Sequence, residues 1–184
     1  CLETLAAHPL WRERKKWMES AGPFKRRGVG LACMAHGSGY GPIIPDEANA
    51  KIELTEEGKI RIFCGVSDMG QGNASTCLQI AGDILSQDTD SMELILPDTD
   101  RSLPSGSASA SRCTYTYGNA LLGAAHEMKK CLFDQASALL MTKGNDDLSL
   151  IPGRIRHLPS GKEIPLYQLA QGMDPPKRTC TYYY

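Results

Sequence analysis

The stretch from Gly65 to Thr76 most constrains the fold of this chain, because a strand pattern ends there and a helix pattern begins. Before it, residues 59–66 alternate between polar and apolar side chains, as in a half-buried strand. After it, apolar side chains recur at the spacing of one helix face, at Cys77, Ile80, Ala81, Ile84 and Leu85. The sequence therefore predicts a strand, a glycine turn and a helix in succession.

The glycine turn has features of an anion site. Gly70 and Gly72 permit a positive φ and let another molecule approach the backbone. The free N–H groups of the following helical turn, together with the helix dipole, favour a negative charge. The turn lacks a P-loop lysine, however, and Ser75 stands where a dinucleotide fingerprint has its third glycine. These residues alone fit either a phosphate or oxyanion site or an ordinary strand-to-helix connection.

A second loop, Pro104 to Thr114, is rich in serine and opens the longest predicted helix. Serine hydroxyls at a helix start cap N–H groups and can donate to phosphate oxygens. Arg112 offers a charge-assisted contact that a flexible linker does not need. This loop strengthens the anion hypothesis. The helix after it carries an apolar stripe at Tyr117, Leu121, Ala125, Met128, Leu132, Ala136 and Leu139.

Composition narrows the class of protein. With 184 residues, 41% of them hydrophobic, and a formal net charge of −1, the chain is sufficient for one domain with a core. Residues 1–24 are predicted to form a lead-in helical segment whose basic side chains face solvent, and no basic patch with stacking aromatics indicates nucleic-acid binding. No apolar run or signal peptide predicts a membrane partner, so a cytoplasmic location is expected.

No metal-binding pattern is found in the sequence. The seven cysteines include no Cys-x-x-Cys pair and are interpreted as buried thiols in a reducing compartment. The acidic pair Asp98 and Asp100 lacks the further positions of a calcium loop. His36 ends an apolar run, 28–36, that predicts a buried strand, and a structural role is expected for it. No metal ligand is assigned on this chain.

Four motifs together resemble a known family. In chain order they are Arg26-Arg-Gly-Val-Gly30, Asp68-Met-Gly-Gln-Gly72, Ala108-Ser-Ala-Ser-Arg112 and Tyr117-Gly118. Their order and spacing resemble the molybdopterin-binding large subunit of the molybdenum hydroxylases, the xanthine dehydrogenase and aldehyde oxidase family. The resemblance covers nearly the whole chain, with Asp68 where the family usually has glutamate. It implies an α+β fold, a mixed sheet with helices packed on it, in which residues 25–184 are part of the molybdopterin-binding domain.

The resemblance also implies site residues. Met69, Gly70, Gln71 and Gly72 are expected near the molybdenum end of the pterin. The residues expected to wrap the pterin and its phosphate are Ala110, Ser111, Arg112, Cys113 and Thr114. The cofactor implied is molybdopterin, either as such or in its cytosine dinucleotide form.

In the family, the metal centre hydroxylates an electron-poor C–H carbon of a purine, an N-heterocycle or an aldehyde with oxygen from water. Electrons leave through iron–sulfur clusters and FAD, which are expected on other domains or subunits. Both ends of this chain resemble cuts, and the family's glutamate base is expected beyond Tyr184, so no catalytic residue is assigned.

The expected partners are the remainder of the large subunit, the iron–sulfur and FAD subunits or domains, and a small-molecule substrate. The chain alone is expected to be inactive. Two alternatives stay open at this point: a nucleotide phosphate-binding domain and a non-catalytic structural module.

Overall fold

The structure is a computed structural model that describes residues 1–184, which divide into two units, Cys1–His36 and Gly37–Tyr184. The first unit contains three short helices, α1 (Leu2–Ala7), α2 (Pro9–Arg12) and α3 (Arg14–Glu19). The break between α1 and α2 follows from Pro9, which lacks a backbone N–H and occupies the first position of α2.

The prediction of a strand at residues 28–36 is wrong. This segment has no regular secondary structure, and nearly all of its residues are exposed. Its four glycine and alanine residues among the first eight positions offer little apolar surface to bury, although they satisfied the apolar pattern.

The second unit is built on a four-stranded sheet of order β3-β2-β1-β7. The strands are β1 (Asn49–Leu54), β2 (Ile60–Phe63), β3 (Glu93–Ile95) and β7 (Thr179–Tyr183). β1 and β2 form the antiparallel hairpin that the alternating sequence predicts, with Leu54 opposite Ile60. β3 is parallel to β2, whereas β7 is antiparallel to β1. The mixed sheet confirms the predicted α+β class.

Two helices pack with this sheet to form the core. α4 (Asn73–Leu85) connects β2 to β3, and α5 (Gly118–Leu140) packs on α4, β1 and β7. The predicted stripe of α5 is buried from Tyr117 to Ala136. Leu139 is the exception, with 45% of its surface exposed in the last turn of the helix.

A smaller antiparallel sheet follows α5, with β4 (Leu148–Ile151), β5 (Arg154–His157) and β6 (Glu163–Pro165) in sequential order. The short helix α6 (Leu166–Gly172) comes directly after β6. The amide of Gln87 joins this sheet to the end of α4, because its Oε1 accepts from Gly153 N at 2.8 Å and its Nε2 donates to Ile151 O at 3.2 Å. None of the helices is long and apolar enough to cross a membrane.

Candidate functional site

The glycine turn between β2 and α4 is organised by one carboxylate. Asp68 accepts hydrogen bonds from the backbone N–H groups of Gly70 at 2.9 Å, Gly72 at 3.2 Å and Ala74 at 2.8 Å. The bonds from Ala74 and Gly70 contribute most to holding the pKa of Asp68 below its usual value. Three of the backbone donors of the turn therefore already bond a negative charge that the chain itself supplies.

The outer face of the same turn is open. Gly70 and Gly72 have φ values of +105° and +88°, and a Cβ at either position would meet nothing within 4 Å. Met69 is 74% exposed. The amide of Gln71 folds onto its own loop, where Oε1 accepts from Met69 N at 2.6 Å and Nε2 donates to Ser67 O at 3.1 Å. A ligand can thus approach the backbone of residues 69–72 closely.

The sequence suggested that the Arg112 side chain would be free to contact a phosphate, but its guanidinium is bonded within the protein. Its guanidinium is 1% exposed, and Nε pairs with the carboxylate of Asp46. Nη1 donates to Ser105 O at 2.7 Å and to Ser107 O at 3.0 Å, while Nη2 donates to Glu47 O at 2.5 Å. Four of its five N–H groups are therefore used within the protein. The side chain holds the serine-rich loop in place, since it joins that loop to residues 46 and 47.

Asp46 is a site residue that the sequence reasoning missed. It lies 66 positions before Arg112, and no local pattern connects the two. Burial opposes ionisation of Asp46, but the hydrogen bond and the charge of Arg112 hold its pKa below the usual value. The pair is therefore ionised at neutral pH, and it neutralises a buried guanidinium.

The segment between the serines and α5 carries unusual backbone geometry. Ala110 and Ser111 both lie in the left-handed region, with φ values of 54° and 51°, which costs non-glycine residues free energy. Cys113–Tyr117 then form a π-helical turn, a geometry found often at functional sites. Ser111 and Thr114 are exposed. The strained residues and the π turn therefore support this loop as a candidate site, in addition to its serine-rich sequence.

A cluster of hydroxyl groups lies beside this loop. Tyr40 Oη contacts Ser107 Oγ, and it is 3.1 Å from Ser109 Oγ, while the two serine oxygens are 2.6 Å apart. Hydrogen bonds from Ser107 and Ser109 lower the pKa of Tyr40. An adjacent cavity of about 300 Å³ is lined by Ser38, Gly39, Tyr40, Gly41, Asp46 and Tyr115. No sequence pattern indicated this cavity, because it is formed by residues far apart in the chain.

The structure brings the two predicted loops together. Tyr117 Oη donates to Phe63 O at 2.9 Å, which joins the π turn to the end of β2. A small cleft between the loops is lined by Asn73, Thr76 and Cys77 on one side and by Cys113, Thr114 and Tyr117 on the other. The starts of α4 and of the π turn therefore face a common space, although about 40 residues separate them in the sequence.

Comparison with known proteins identifies the family of this chain. Residues 4–184 match the family described as molybdopterin cofactor-binding domain. The chain is 28% identical to the putative xanthine dehydrogenase molybdenum-binding subunit of Escherichia coli (strain K12) over 156 residues, which are 84% of this chain and 21% of that protein. It is 27% identical to the 6-hydroxypseudooxynicotine dehydrogenase complex subunit gamma of Paenarthrobacter nicotinovorans over 169 residues, 90% of this chain and 20% of the relative.

A solved structure shows the same fold. The aldehyde oxidoreductase from Desulfovibrio desulfuricans ATCC 27774 superposes with a TM-score of 0.65 at 24% identity, covering 96% of this chain and 17% of that enzyme. The chain thus spans about a fifth of the length of the curated relatives that it matches. Since the family match covers nearly every residue, the chain belongs to the molybdopterin cofactor-binding domain family.

Proposed function

We propose that this chain forms part of the cofactor site of a molybdenum hydroxylase that acts on an electron-poor C–H carbon, in a purine, an N-heterocycle or an aldehyde, with water as the oxygen source. When bound, the molybdenum cofactor supplies the two-electron oxidation and the transfer of oxygen. The observation that carries the proposal is the side-by-side placement of the glycine turn and the π turn, joined by Tyr117 and Phe63.

The residues of these loops fit a pterin. An extended, polar, planar cofactor needs backbone that it can approach closely and hydrogen-bond donors that are not already used. The open Cβ positions of Gly70 and Gly72 satisfy the first need. The first N–H groups of α4 and of the π turn, at Asn73 and Cys113, satisfy the second, because helix starts leave such groups without an intrahelical acceptor.

We assign different tasks to the two loops. Met69, Gly70, Gln71 and Gly72 form the exposed edge that approaches the metal end, with the Gln71 amide as an uncharged donor near it. The strained segment Ala110–Thr114 wraps the pterin and phosphate with backbone N–H groups and the hydroxyls of Ser111 and Thr114. Within that segment Arg112 acts as a positioning residue, since its guanidinium fixes the loop through Asp46, Ser105 and Ser107.

The remaining parts of such an enzyme are assigned elsewhere. The iron–sulfur clusters and FAD belong to other domains or subunits, and so does the general base. The printed names of the two relatives, a molybdenum-binding subunit and a complex subunit gamma, support an assembly of several subunits. Whether the cofactor is molybdopterin or its cytosine dinucleotide depends on which phosphate-bearing group the 110–114 segment and its partners accommodate.

The test uses two matched glycine variants in the protein that carries this chain, purified from a host that makes the cofactor. Gly72→Ala adds a methyl group at φ +88°, where nothing in the chain lies within 4 Å. Gly161→Ala adds the same group at φ +67°, also with nothing within 4 Å, but in the turn between β5 and β6. The backbone cost is comparable, about 1–2 kcal/mol for each.

Only the Gly72 variant should lose the cofactor. We expect its molybdenum and pterin content to fall by at least about tenfold, corresponding to about 1.4 kcal/mol of lost contact energy. Pterin is measured by fluorescence after oxidative release and molybdenum by mass spectrometry. Equal loading of the two variants would place the cofactor away from the glycine turn.

A further inference from the structure

Two buried thiols bracket the glycine turn. Cys64 directly follows β2, Cys77 lies in α4, and their Sγ atoms are 3.8 Å apart. Cys64 Sγ also donates to Val66 O at 3.2 Å. The two side chains are 1% and 3% exposed. The residues between them, 65–76, comprise the turn that presents Met69 to Gly72 and the first four residues of α4, so the two thiols bracket that turn.

The pKa values of the two thiols are shifted in opposite directions. The hydrogen bond from Cys77 lowers the pKa of Cys64 to about 7, and the same contact together with burial raises the pKa of Cys77. Two interacting groups of this kind lose the first proton easily and the second with difficulty. The 3.8 Å separation brings the two sulfur atoms within reach of each other, as oxidation to a disulfide requires, and the lowered pKa of Cys64 favours it as the sulfur that reacts first.

We propose that Cys64 and Cys77 form a dithiol site that a small two-electron oxidant of the peroxide class converts to a disulfide, which closes residues 65–76 into a covalent loop. The sulfur atoms must approach by about 1.8 Å to reach a disulfide bond length of about 2.04 Å. That approach requires rotation of one or both cysteine side chains or a shift of α4 toward Cys64.

The reaction balances with peroxide as the only co-reactant. The Cys64 thiolate attacks one oxygen, the O–O bond breaks, and the released hydroxide takes a proton to become water, which leaves a sulfenic acid on Cys64. The Cys77 sulfur then attacks Cys64 Sγ, the S–O bond breaks, and the Cys77 proton leaves with the hydroxyl group as a second water. Two thiols lose two electrons, and the peroxide gains them.

Access favours a small oxidant. The cleft that reaches Cys77 has a volume of about 10 Å³ and lies between the first turns of α4 and the π turn. A space of this size admits roughly one water-sized molecule. The cleft is lined by Cys77 and not by Cys64, so peroxide reaches Cys64 only when a fluctuation widens the cleft, and a bulky disulfide such as oxidised glutathione needs a far larger opening.

The chain contains a matched control pair. Cys131 in α5 and Cys180 in β7 have their Sγ atoms 3.9 Å apart, almost the same separation. Burial raises the pKa of Cys180 to about 12. Cys131 is only half-buried, so proximity and access alone would let the Cys131–Cys180 pair react at least as fast as Cys64 and Cys77. If the polarised proton arrangement of Cys64 and Cys77 governs oxidation, that pair reacts first.

The experiment treats the purified, reduced protein with hydrogen peroxide near pH 7.5, blocks the remaining thiols with an alkylating agent and maps the peptides by mass spectrometry. Trypsin leaves both cysteines in one peptide, 62–101, so cleavage at Met69 is used to separate them. The expected result is two fragments still joined through Cys64 and Cys77, forming at least about tenfold faster than the Cys131–Cys180 link. Cys77→Ser should stop at a Cys64 sulfenic acid that a dione reagent traps.

The peptide map of the wild-type protein tests the proposal without requiring that any variant folds. Alkylation of both cysteines after exposure, oxidation to sulfinic acid without a link, or a link from Cys77 to Cys113 would each overturn the proposal. Equal rates for the two pairs would overturn the selectivity assigned to Cys64. The inference stands apart from the proposed function, because its readout is a bond within the chain and needs no cofactor.

Discussion

The hydroxyl group of Tyr117 donates a 2.9 Å hydrogen bond to the backbone carbonyl of Phe63, and this bond helps to join the two loops of the candidate site. Tyr117 is 1% exposed, and Phe63 is 6% exposed. Burial raises the pKa of Tyr117, so the hydroxyl stays protonated as a donor. The position of the π turn relative to β2 therefore depends on a neutral, buried hydrogen bond.

Replacing Tyr117 with phenylalanine should lower the free energy of unfolding by about 1–3 kcal/mol, because the buried carbonyl of Phe63 loses its side-chain donor. Denaturant unfolding measures the change. Tyr167→Phe is the control, since that side chain is 49% exposed. A Tyr117→Phe protein as stable as the control would mean that packing alone holds the two loops together.

The pair formed by Asp46 and Arg112 allows a second prediction. Asp46→Asn should destabilise the protein by about 2 kcal/mol at neutral pH, because it leaves a buried guanidinium without its counter-charge. Asp90→Asn, in an exposed 3-10 turn, should change stability by less than about 0.5 kcal/mol. Unfolding by denaturant is measured for both variants and the wild type.

The pH dependence of that difference has a definite sign. The folded-state pKa of Asp46 lies below its unfolded value, which is about 3.9. The stabilisation from the charged form is therefore complete above the unfolded value and is lost as the pH falls through the folded value. The stability gap between wild type and Asp46→Asn should be constant near neutrality and narrow below about pH 4. A gap that stays unchanged in acid would show that the carboxylate charge contributes nothing.

The cap formed by Asp68 supports a third prediction. Asp68→Ala removes the acceptor of three backbone N–H groups and should increase amide hydrogen exchange at Gly70, Gly72 and Ala74. Asp68→Asn keeps one acceptor oxygen and should have a smaller effect. Exchange that is equally slow in both variants would show that the turn is fixed by its glycine geometry and not by the carboxylate.

The regular elements of this fold were predictable where local pattern and tertiary packing agree. α5 is the clearest case: its buried stripe from Leu121 to Ala136 follows directly from helical spacing, and the β1–β2 hairpin follows from alternation. The prediction of a strand at residues 28–36 was wrong because local pattern and tertiary packing disagree there. Its small apolar residues satisfied a strand pattern, but a strand also needs a neighbour, and composition does not specify one.

Local sequence signals located the two loops of the candidate site but not all of the contacts that their side chains make. The glycine turn and the serine-rich loop were both found from local signals, and they do lie together. The direction of the Arg112 side chain could not be found that way, because its partner Asp46 is 66 residues distant and is brought close only by the fold. The left-handed conformations of Ala110 and Ser111 likewise have no sequence signal, since neither is glycine.

The last prediction tests the role assigned to Gln71 and rests on the proposed function. The Gln71 amide accepts from Met69 N and donates to Ser67 O on an exposed edge, a geometry from which the Nε2 donor can turn toward a ligand with the loss of one 3.1 Å bond. Gln71→Ala in the complete enzyme should leave most of the pterin bound, since the backbone contacts of the turn remain. Turnover should slow by a factor of about 10²–10³, the usual effect of losing one preorganised donor at a reacting centre.

Gln135→Ala is the matched control, because Gln135 also donates one 3.0 Å hydrogen bond to a backbone carbonyl, that of Gly172, on an exposed surface of α5. Both variants are compared at equal molybdenum loading, with kcat and KM measured separately. A fall in kcat with little change in KM identifies an interaction made mainly in the transition state. Wild-type kcat in a fully loaded Gln71→Ala enzyme would remove Gln71 from the reacting centre and leave it only the task of shaping the turn.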